Sequence, residues 1–98
     1  MTDIIKLKVK VGDGDSRQEL VVRGRDAWAL GNLIDAGEVG CTPIDHPGPR
    51  WSHYVFKLRR AGIAVETIGE RHSGSYSGSH ARYVLRSPVA VIAREVRS

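Results

Sequence analysis

The sequence predicts one α+β domain, with a β-hairpin at the N-terminus, two helices in the middle, a two-stranded hairpin and a final strand. Three observations support this prediction. The first residues alternate between apolar and charged side chains, the central apolar residues recur at helical spacing, and a basic helix ending at a glycine leads into two more alternating stretches. A chain of 98 residues can bury one modest core but not two.

The N-terminal residues predict a half-buried strand with a lysine stripe on its exposed face. Apolar and basic residues alternate there with a period of two. Residues 12–16 combine glycine with Asp and Ser, which is typical of a turn. Residues 19–23 are predicted to return as the second strand of the hairpin. The alternating residues are Ile5, Leu7, Val9 and Val11, and Lys6, Lys8 and Lys10.

The first helix is predicted from Asp26, a favourable N-cap residue, to Ala36, with Gly37 ending it. Gly31 lies in the middle of this helix, where glycine costs roughly 1 kcal/mol relative to alanine. We expect this glycine to permit close packing by another helix. The residues at helical spacing that should face the core are Ala27, Leu30, Leu33 and Ile34, with Trp28 flanking them.

The next segment, residues 42–49, contains three prolines, which argues against a long helix. A single helical turn around residues 43–46 remains compatible with the sequence. Pro49 suits the first turn of a helix, so the second helix is predicted to begin near it and to end at Gly62.

The second helix is predicted to be amphipathic, with a basic face turned away from its apolar face. Phe56 falls nearly opposite the apolar residues, as expected for a binding surface or a contact with the following hairpin. The apolar face consists of Trp51, Tyr54, Val55 and Leu58. The basic stripe consists of Arg50, His53, Lys57 and Arg60.

Alternating residues after Gly62 predict the two-stranded hairpin, with Ile63, Val65 and Thr67 on one strand. Residues 82–86 form the other strand, and the Gly/Ser-rich loop 73–79 is too flexible to fix a turn by itself. Residues 89–93 suggest a last short strand that pairs with the N-terminal hairpin, while residues 94–98 are expected to fray. The predicted organisation is therefore one domain, 1–98, with the N-terminal hairpin in 1–23, the helices in 24–62, the second hairpin in 63–87, and a terminal strand and tail in 88–98.

Positive charge is concentrated in one part of the chain, although the overall net charge is only +4. Residues 50–86 contain seven Lys/Arg and two Glu, a net charge of +5, whereas residues 11–49 contain three Arg and seven acids, a net charge of −4. This separation favours a polyanionic partner at one end of the molecule. The alternative is that the charges serve only solubility.

Residues 57–67 and 81–85 resemble the helix and wing of small winged-helix domains in bacterial and phage-derived proteins. In those domains a Leu-Arg-Arg-x-Gly helix end leads into a strand carrying Ile and Thr, and the wing returns through Ala-Arg-Tyr-x-Leu. The matching residues are Leu58, Arg59, Arg60, Gly62, Thr67, Ala81, Arg82, Tyr83 and Leu85. The resemblance, over roughly residues 27–86, implies a winged helix with an added N-terminal β-hairpin and a two-stranded wing.

The resemblance implies duplex DNA binding as the expected function, in a transcriptional or phage-related regulator. Winged helices also serve as protein-interaction modules. In this alternative, the neighbourhood of Trp51 and Phe56 and the proline-rich segment form the partner surface, and the basic stripe meets an acidic protein. Relatives usually carry a regular second helix where this chain has its proline-rich segment. This departure leaves the standard docking pose of a helix-turn-helix open.

The predicted DNA-binding residues lie on the basic helix and in the wing. Arginine suits guanine because its guanidinium reaches two acceptors at once, and Phe56 could contact a thymine methyl. The wing loop could order on a neighbouring groove or phosphate backbone. The predicted residues are Arg50, Ser52, His53, Phe56, Lys57, Arg59, Arg60, Arg71, His72, Tyr76 and His80. In the alternative interpretation, Lys57, Arg59 and Arg60 complement the helix dipole, and the wing tip is a solvent loop.

Other function classes find little support in the sequence. Cys41, His46 and His53 match no common zinc spacing, and the acidic turn at residues 13–15 fails the EF-hand pattern. We therefore predict no metal, no cofactor and no enzymatic activity. A single cysteine and the lack of a long apolar run favour a cytoplasmic protein without membrane contact. A homodimer through the exposed edge of the N-terminal hairpin is expected, since one small domain buries little DNA-facing area.

Overall fold

The computed structural model describes residues 3–47, 50–72 and 78–97 and confirms the predicted α+β fold with an N-terminal hairpin and a two-stranded wing. The strands are β1 (Asp3–Val11), β2 (Gln18–Arg23), β3 (Val65–His72), β4 (Gly78–Leu85) and β5 (Val89–Arg97). The helices are α1 (Gly24–Ala36) and α2 (Trp51–Arg60), and short 3-10 turns cover Gly14–Ser16 and Gly37–Val39.

The first sheet is antiparallel with strand order β2-β1-β5. Leu7 and Val9 on β1 are fully buried beneath α1, as the period-two pattern predicts. The final strand does pair with the N-terminal hairpin. The expectation that residues 94–98 fray is wrong for Arg94–Arg97, because β5 stays paired with β1 up to Asp3 and Arg97. Ser98 lies outside the described residues.

Helix α1 begins earlier than predicted. Its N-cap is Arg23, which makes no side-chain capping bond, and Asp26 lies inside the first turn, where a carboxylate favours the positive end of the helix dipole. Gly37 follows the last helical residue, as predicted, and its positive φ of 55° suits glycine. The predicted core residues Ala27, Leu30 and Leu33 are fully buried, and Ile34 packs against the core while partly exposed.

The central glycine of α1 allows close packing, but against a strand and not a helix. A Cβ at Gly31 would lie 2.5 Å from Cδ1 of Ile4 on β1. The prediction of a helix partner is therefore wrong. Period-two alternation predicts where a strand lies in the sequence. It does not predict which residue of a helix will pack against that strand.

Helix α2 begins at Trp51, slightly later than predicted, and Pro49 lies outside the described residues. Gly62 has a φ of 103°, and backbone bonds from Ala61, Gly62 and Ile63 to Lys57, Arg59 and Leu58 close the helix end. The predicted apolar face is correct, since each of its four residues is buried. The wing strands β3 and β4 are longer than predicted, pairing from Val65 with Leu85 to His72 with Gly78.

Candidate nucleic-acid interface

The basic helix is held in place by a cluster of aromatic side chains between α1, α2 and β4. The ring of Trp51 stacks on Tyr83, with centroids 5.8 Å apart and an interplanar angle of 14°, and it lies 5.4 Å from Trp28. Trp28 also meets Tyr54 edge-on at 6.4 Å. Because three of these four rings are buried, this cluster fixes the rotation of α2 and turns its basic face outward.

The proline-rich segment forms one hydrogen-bonded turn in place of a regular helix. The buried Thr42 accepts bonds from the backbone N–H groups of Ile44 and Asp45 through its hydroxyl, at 3.2 and 3.0 Å. Its carbonyl accepts from the N–H of His46 at 2.9 Å. Trp51 donates its indole N–H to the carbonyl of His46 at 2.7 Å. The single turn that the sequence allowed is therefore present and is attached directly to the start of α2.

A backbone bridge joins this segment to the wing. Cys41 exchanges two 2.8 Å backbone bonds with Tyr83 on β4. The Cys41 thiol is fully buried, and burial raises its pKa to about 11. Gly40, with a φ of 75°, allows the close approach, because a Cβ there would lie 2.5 Å from the Tyr83 carbonyl oxygen. The bridge thus connects the wing to the residues before α2.

The outward face of α2 is basic and contains no carboxylate. All predicted contact residues of this helix are exposed: Arg50, Ser52, His53, Phe56, Lys57, Arg59 and Arg60. Phe56 is 54% exposed and lies beneath the guanidinium of Arg60, 5.8 Å from the ring centroid. Such a cation–π pair holds an apolar ring and a charge together at the surface.

Two cations of α2 also make contacts within the chain. The ammonium of Lys57 lies 2.9 Å from a carboxylate oxygen of Asp26 on α1. Arg59 donates to the carbonyl of Val65 at 2.6 and 3.0 Å and to the hydroxyl of Thr67 at 2.7 Å. Arg59 therefore joins the end of α2 to the first wing strand. Sequence reasoning missed this contact, since two of its three hydrogen bonds go to a backbone carbonyl, which no residue type signals.

The base of the wing carries two ion-pair networks. Arg82 donates to Glu70 at 2.6 Å and to the Val39 carbonyl at 2.9 Å, and His80 contacts the same Glu70 at 3.0 Å. Arg86 donates to Glu66 at 2.7 Å and to Glu38 at 3.1 Å. The bond from Arg82 lowers the pKa of Glu70, and the carboxylate in turn raises the pKa of Arg82.

These pairs decide where the surplus positive charge lies. Glu66 and Glu70 are the two acids of residues 50–86, and both pair with wing arginines. The net charge of +5 therefore belongs to the three cations of α2, to Arg50 at its N-cap and to Arg71, which is exposed on β3. The other predicted wing residues are placed less completely: His80 is part of the Glu70 network, while Tyr76 and the His72 side chain lie outside the described residues.

Three further observations concern the described residues. Trp51, which the protein-binding alternative places at the partner surface with Phe56, is buried with 2% exposure, so this part of the alternative is wrong. No helix within the described part of the chain is long and apolar enough to cross a membrane. Among the same residues, no group of three or more His, Cys, Asp or Glu side chains is placed to hold a metal ion.

Comparisons with known proteins agree with this architecture. Residues 19–95, from β2 into β5, match the family model of a winged helix domain. Comparison with curated proteins and with solved structures finds no match for the chain. The family match covers both helices, the wing and parts of β2 and β5, but not β1, and it spans well over half of the sequence. The chain therefore belongs to the winged helix domain family.

Proposed function

We propose that this chain is a non-enzymatic nucleic-acid-binding module that binds duplex DNA through α2 and the wing. The observation that carries the proposal is the exposed face of α2 and its N-cap, which presents Arg50 and Arg60 without a carboxylate partner and has no acidic residue on the helix. Membership of the winged helix family supports it, since such domains are commonly DNA-binding. The role in transcription or in a phage remains part of this proposal.

The contact residues divide into two roles. Arg50, Ser52, His53 and Phe56 with its partner Arg60 would meet phosphates and base edges, because their side chains are exposed. Arg59 and His80 would act by positioning the wing, since both are bonded to β3. Arg71, with His72 and Tyr76 beyond it, would reach the backbone next to the groove that α2 occupies.

The test uses a pair of variants with equal charge change. Arg50→Glu/Arg60→Glu reverses two exposed cations on α2, and Lys10→Glu/Arg17→Glu reverses two near the turn of the N-terminal hairpin. Lys57 is left intact because its replacement by Glu would face Asp26. Fluorescence anisotropy with a random duplex is measured at low and physiological salt, and circular dichroism checks folding.

We expect the wild type to bind more weakly as salt rises, and the α2 variant to lose at least about tenfold in affinity while the hairpin variant loses little. Absence of binding by the wild type at low salt, or equal loss in both folded variants, contradicts the proposal. The acidic protein partner would then be favoured. Its surface would include the exposed Phe56 and Ile44, which are 54% and 58% exposed.

A further inference from the structure

The strand β5 is an exposed edge of the first sheet along its whole length. Within the described ranges it pairs with β1 alone, so its other side presents unpaired backbone N–H and C=O groups. Every residue of β5 after Val89 is exposed. Three of the seven large exposed hydrophobic residues of the described chain lie on it, namely Val91, Ile92 and Val96. A long, apolar edge strand is a template for pairing with another strand.

The register with β1 shows which face of the sheet each β5 residue occupies. Val89 and Val91 lie opposite Val11 and Val9, and Val96 lies opposite Ile4, so these three valines share the face that α1 covers further along the sheet. Arg94, opposite Leu7, is on the same face. Ala90, Ala93 and Glu95 are opposite Lys10, Lys8 and Lys6 on the outer face. The irregularity between Ala93 and Val91 leaves Ile92 as the extra residue.

We propose that β5 pairs with β5 of a second copy of this chain, antiparallel and around a two-fold axis between Ile92 and Ala93. The extra residue at Ile92 makes the strand self-complementary in this register. Val89 lies opposite Val96 of the second copy, Ala90 opposite Glu95, and Val91 opposite Arg94. Each of these six residues then meets one from the same face of the sheet, as antiparallel pairing requires.

Charge supports this register over its neighbours. It places Arg94 beside valine and Glu95 beside alanine, so no like charges stand directly opposite each other. A shift that brings Arg94 opposite Arg94, or Glu95 opposite Glu95, would be destabilising. The paired strands would join the two three-stranded sheets into one six-stranded sheet, and the valines of both copies would shield one another on the inner face. This is the closed, isologous contact expected of a two-fold dimer.

The proposed contact differs from the hairpin edge expected from the sequence. β5 already covers the β1 edge of the N-terminal hairpin, so the hairpin offers only its β2 edge in the described sheet. Val21, 47% exposed on β2, therefore provides a matched control for Ile92 and Val96, each 45% exposed on β5. A contact made by one pair of edge strands is small compared with the interfaces of stable complexes. We therefore expect a dissociation constant on the order of micromolar.

Sedimentation equilibrium over a wide range of concentrations provides the first test. We expect the wild type to shift from its monomer mass of 10.8 kDa to twice that value. Ile92→Lys/Val96→Lys should remain monomeric at every concentration, and Val21→Lys should dimerise like the wild type. Circular dichroism confirms that each variant is folded. A wild type that stays monomeric, dissociation by Val21→Lys, or a dimer unaffected by the β5 variant each overturns the proposal.

Cross-linking tests the register itself. Ala93→Cys places two thiols beside the two-fold axis, while the native Cys41 is buried and does not compete. Mild oxidation should convert Ala93→Cys into a covalent dimer and leave Val21→Cys largely monomeric. The reverse pattern, or equal cross-linking of both, contradicts β5 pairing. Neither measurement involves DNA, so this inference stands or falls separately from the proposed function.

Discussion

Thr42 and Trp51 hold the proline-rich segment in a fixed turn through hydrogen bonds of single side chains. The Thr42 hydroxyl satisfies two backbone donors of the turn, and the Trp51 indole satisfies the carbonyl of His46. Each buried backbone group left without a partner would cost free energy, roughly 1–3 kcal/mol. These bonds explain how a proline-rich segment can precede α2 and still fix where the helix begins.

Gly40 offers a direct test of the bridge between this segment and the wing. Gly40→Ala forces an L side chain into a positive φ and also brings Cβ within 2.5 Å of the Tyr83 carbonyl oxygen, which is backbone and cannot yield easily. Gly37→Ala is the control, because its φ of 55° is also positive but nothing lies within 4 Å of the added Cβ.

Urea denaturation should show that Gly37→Ala lowers the free energy of unfolding by about 1–2 kcal/mol. We expect Gly40→Ala to cost about 2 kcal/mol more than this, because steric overlap is added to the backbone strain. Equal losses in the two variants would mean that the close contact between Gly40 and Tyr83 has no energetic importance.

For the individual helices and strands, the spacing of apolar residues within a short stretch of sequence correctly predicted which side is buried. Alternation located β1, and the spacing of Trp51, Tyr54, Val55 and Leu58 identified the buried face of α2. Such patterns record which side of an element faces the core, and this depends on residues close together in the chain.

Features that depend on distant residues could not be read in the same way. The length of β5 follows from its pairing with β1, and the partner of Gly31 is Ile4, 27 positions earlier in the chain. The sequence alone did not distinguish the roles of the wing arginines Arg71, Arg82 and Arg86. Their roles differ because Glu70 binds Arg82, and Glu38, 48 positions earlier in the chain, binds Arg86. Arg71 stays exposed.

The wing network should make stability depend on pH through Glu70. Its pKa is lowered from an ordinary value of 4.5, first by the hydrogen bond from Arg82. A carboxyl group with a lowered pKa in the folded state stabilises the fold above its unfolded pKa, and this contribution is lost as pH falls through the folded pKa. Glu70→Gln removes the charge and keeps the shape of the side chain.

Thermal unfolding followed from neutral to acidic pH should therefore show wild type with the higher Tm above pH 4.5, and the difference from Glu70→Gln should shrink as pH falls further. Glu19→Gln, which removes a carboxylate paired with Lys8 on the first sheet, measures the effect of removing a surface ion pair elsewhere. A difference between wild type and Glu70→Gln that is independent of pH would exclude a role for the Glu70 charge in holding the wing.

At the scale of the whole molecule, the distribution of ion pairs limits how many phosphates one copy can neutralise. Arg82 and Arg86 form ion pairs with Glu70 and Glu66 of the wing. Lys57 forms an ion pair with Asp26, and Arg59 donates to the Val65 carbonyl at the start of β3. Arg50, Arg60 and Arg71 are exposed and have no carboxylate partner among the described residues. DNA binding by one copy should therefore release counterions from about three phosphates.

The salt dependence of DNA affinity can distinguish three DNA-neutralising cations from the seven Lys/Arg that residues 50–86 contain. Each neutralised phosphate contributes about −0.9 to the slope of log affinity against log salt, so three cations predict a slope of about −3. All seven Lys/Arg of residues 50–86 would instead give about −6. Anisotropy titrations on a duplex too short for two copies measure the slope for one copy. Ile92→Ser/Val96→Ser keeps the protein monomeric without adding cations to the count. A slope near −6 would mean that DNA displaces the internal carboxylates from Lys57, Arg82 and Arg86, and the wing would then have to rearrange on binding.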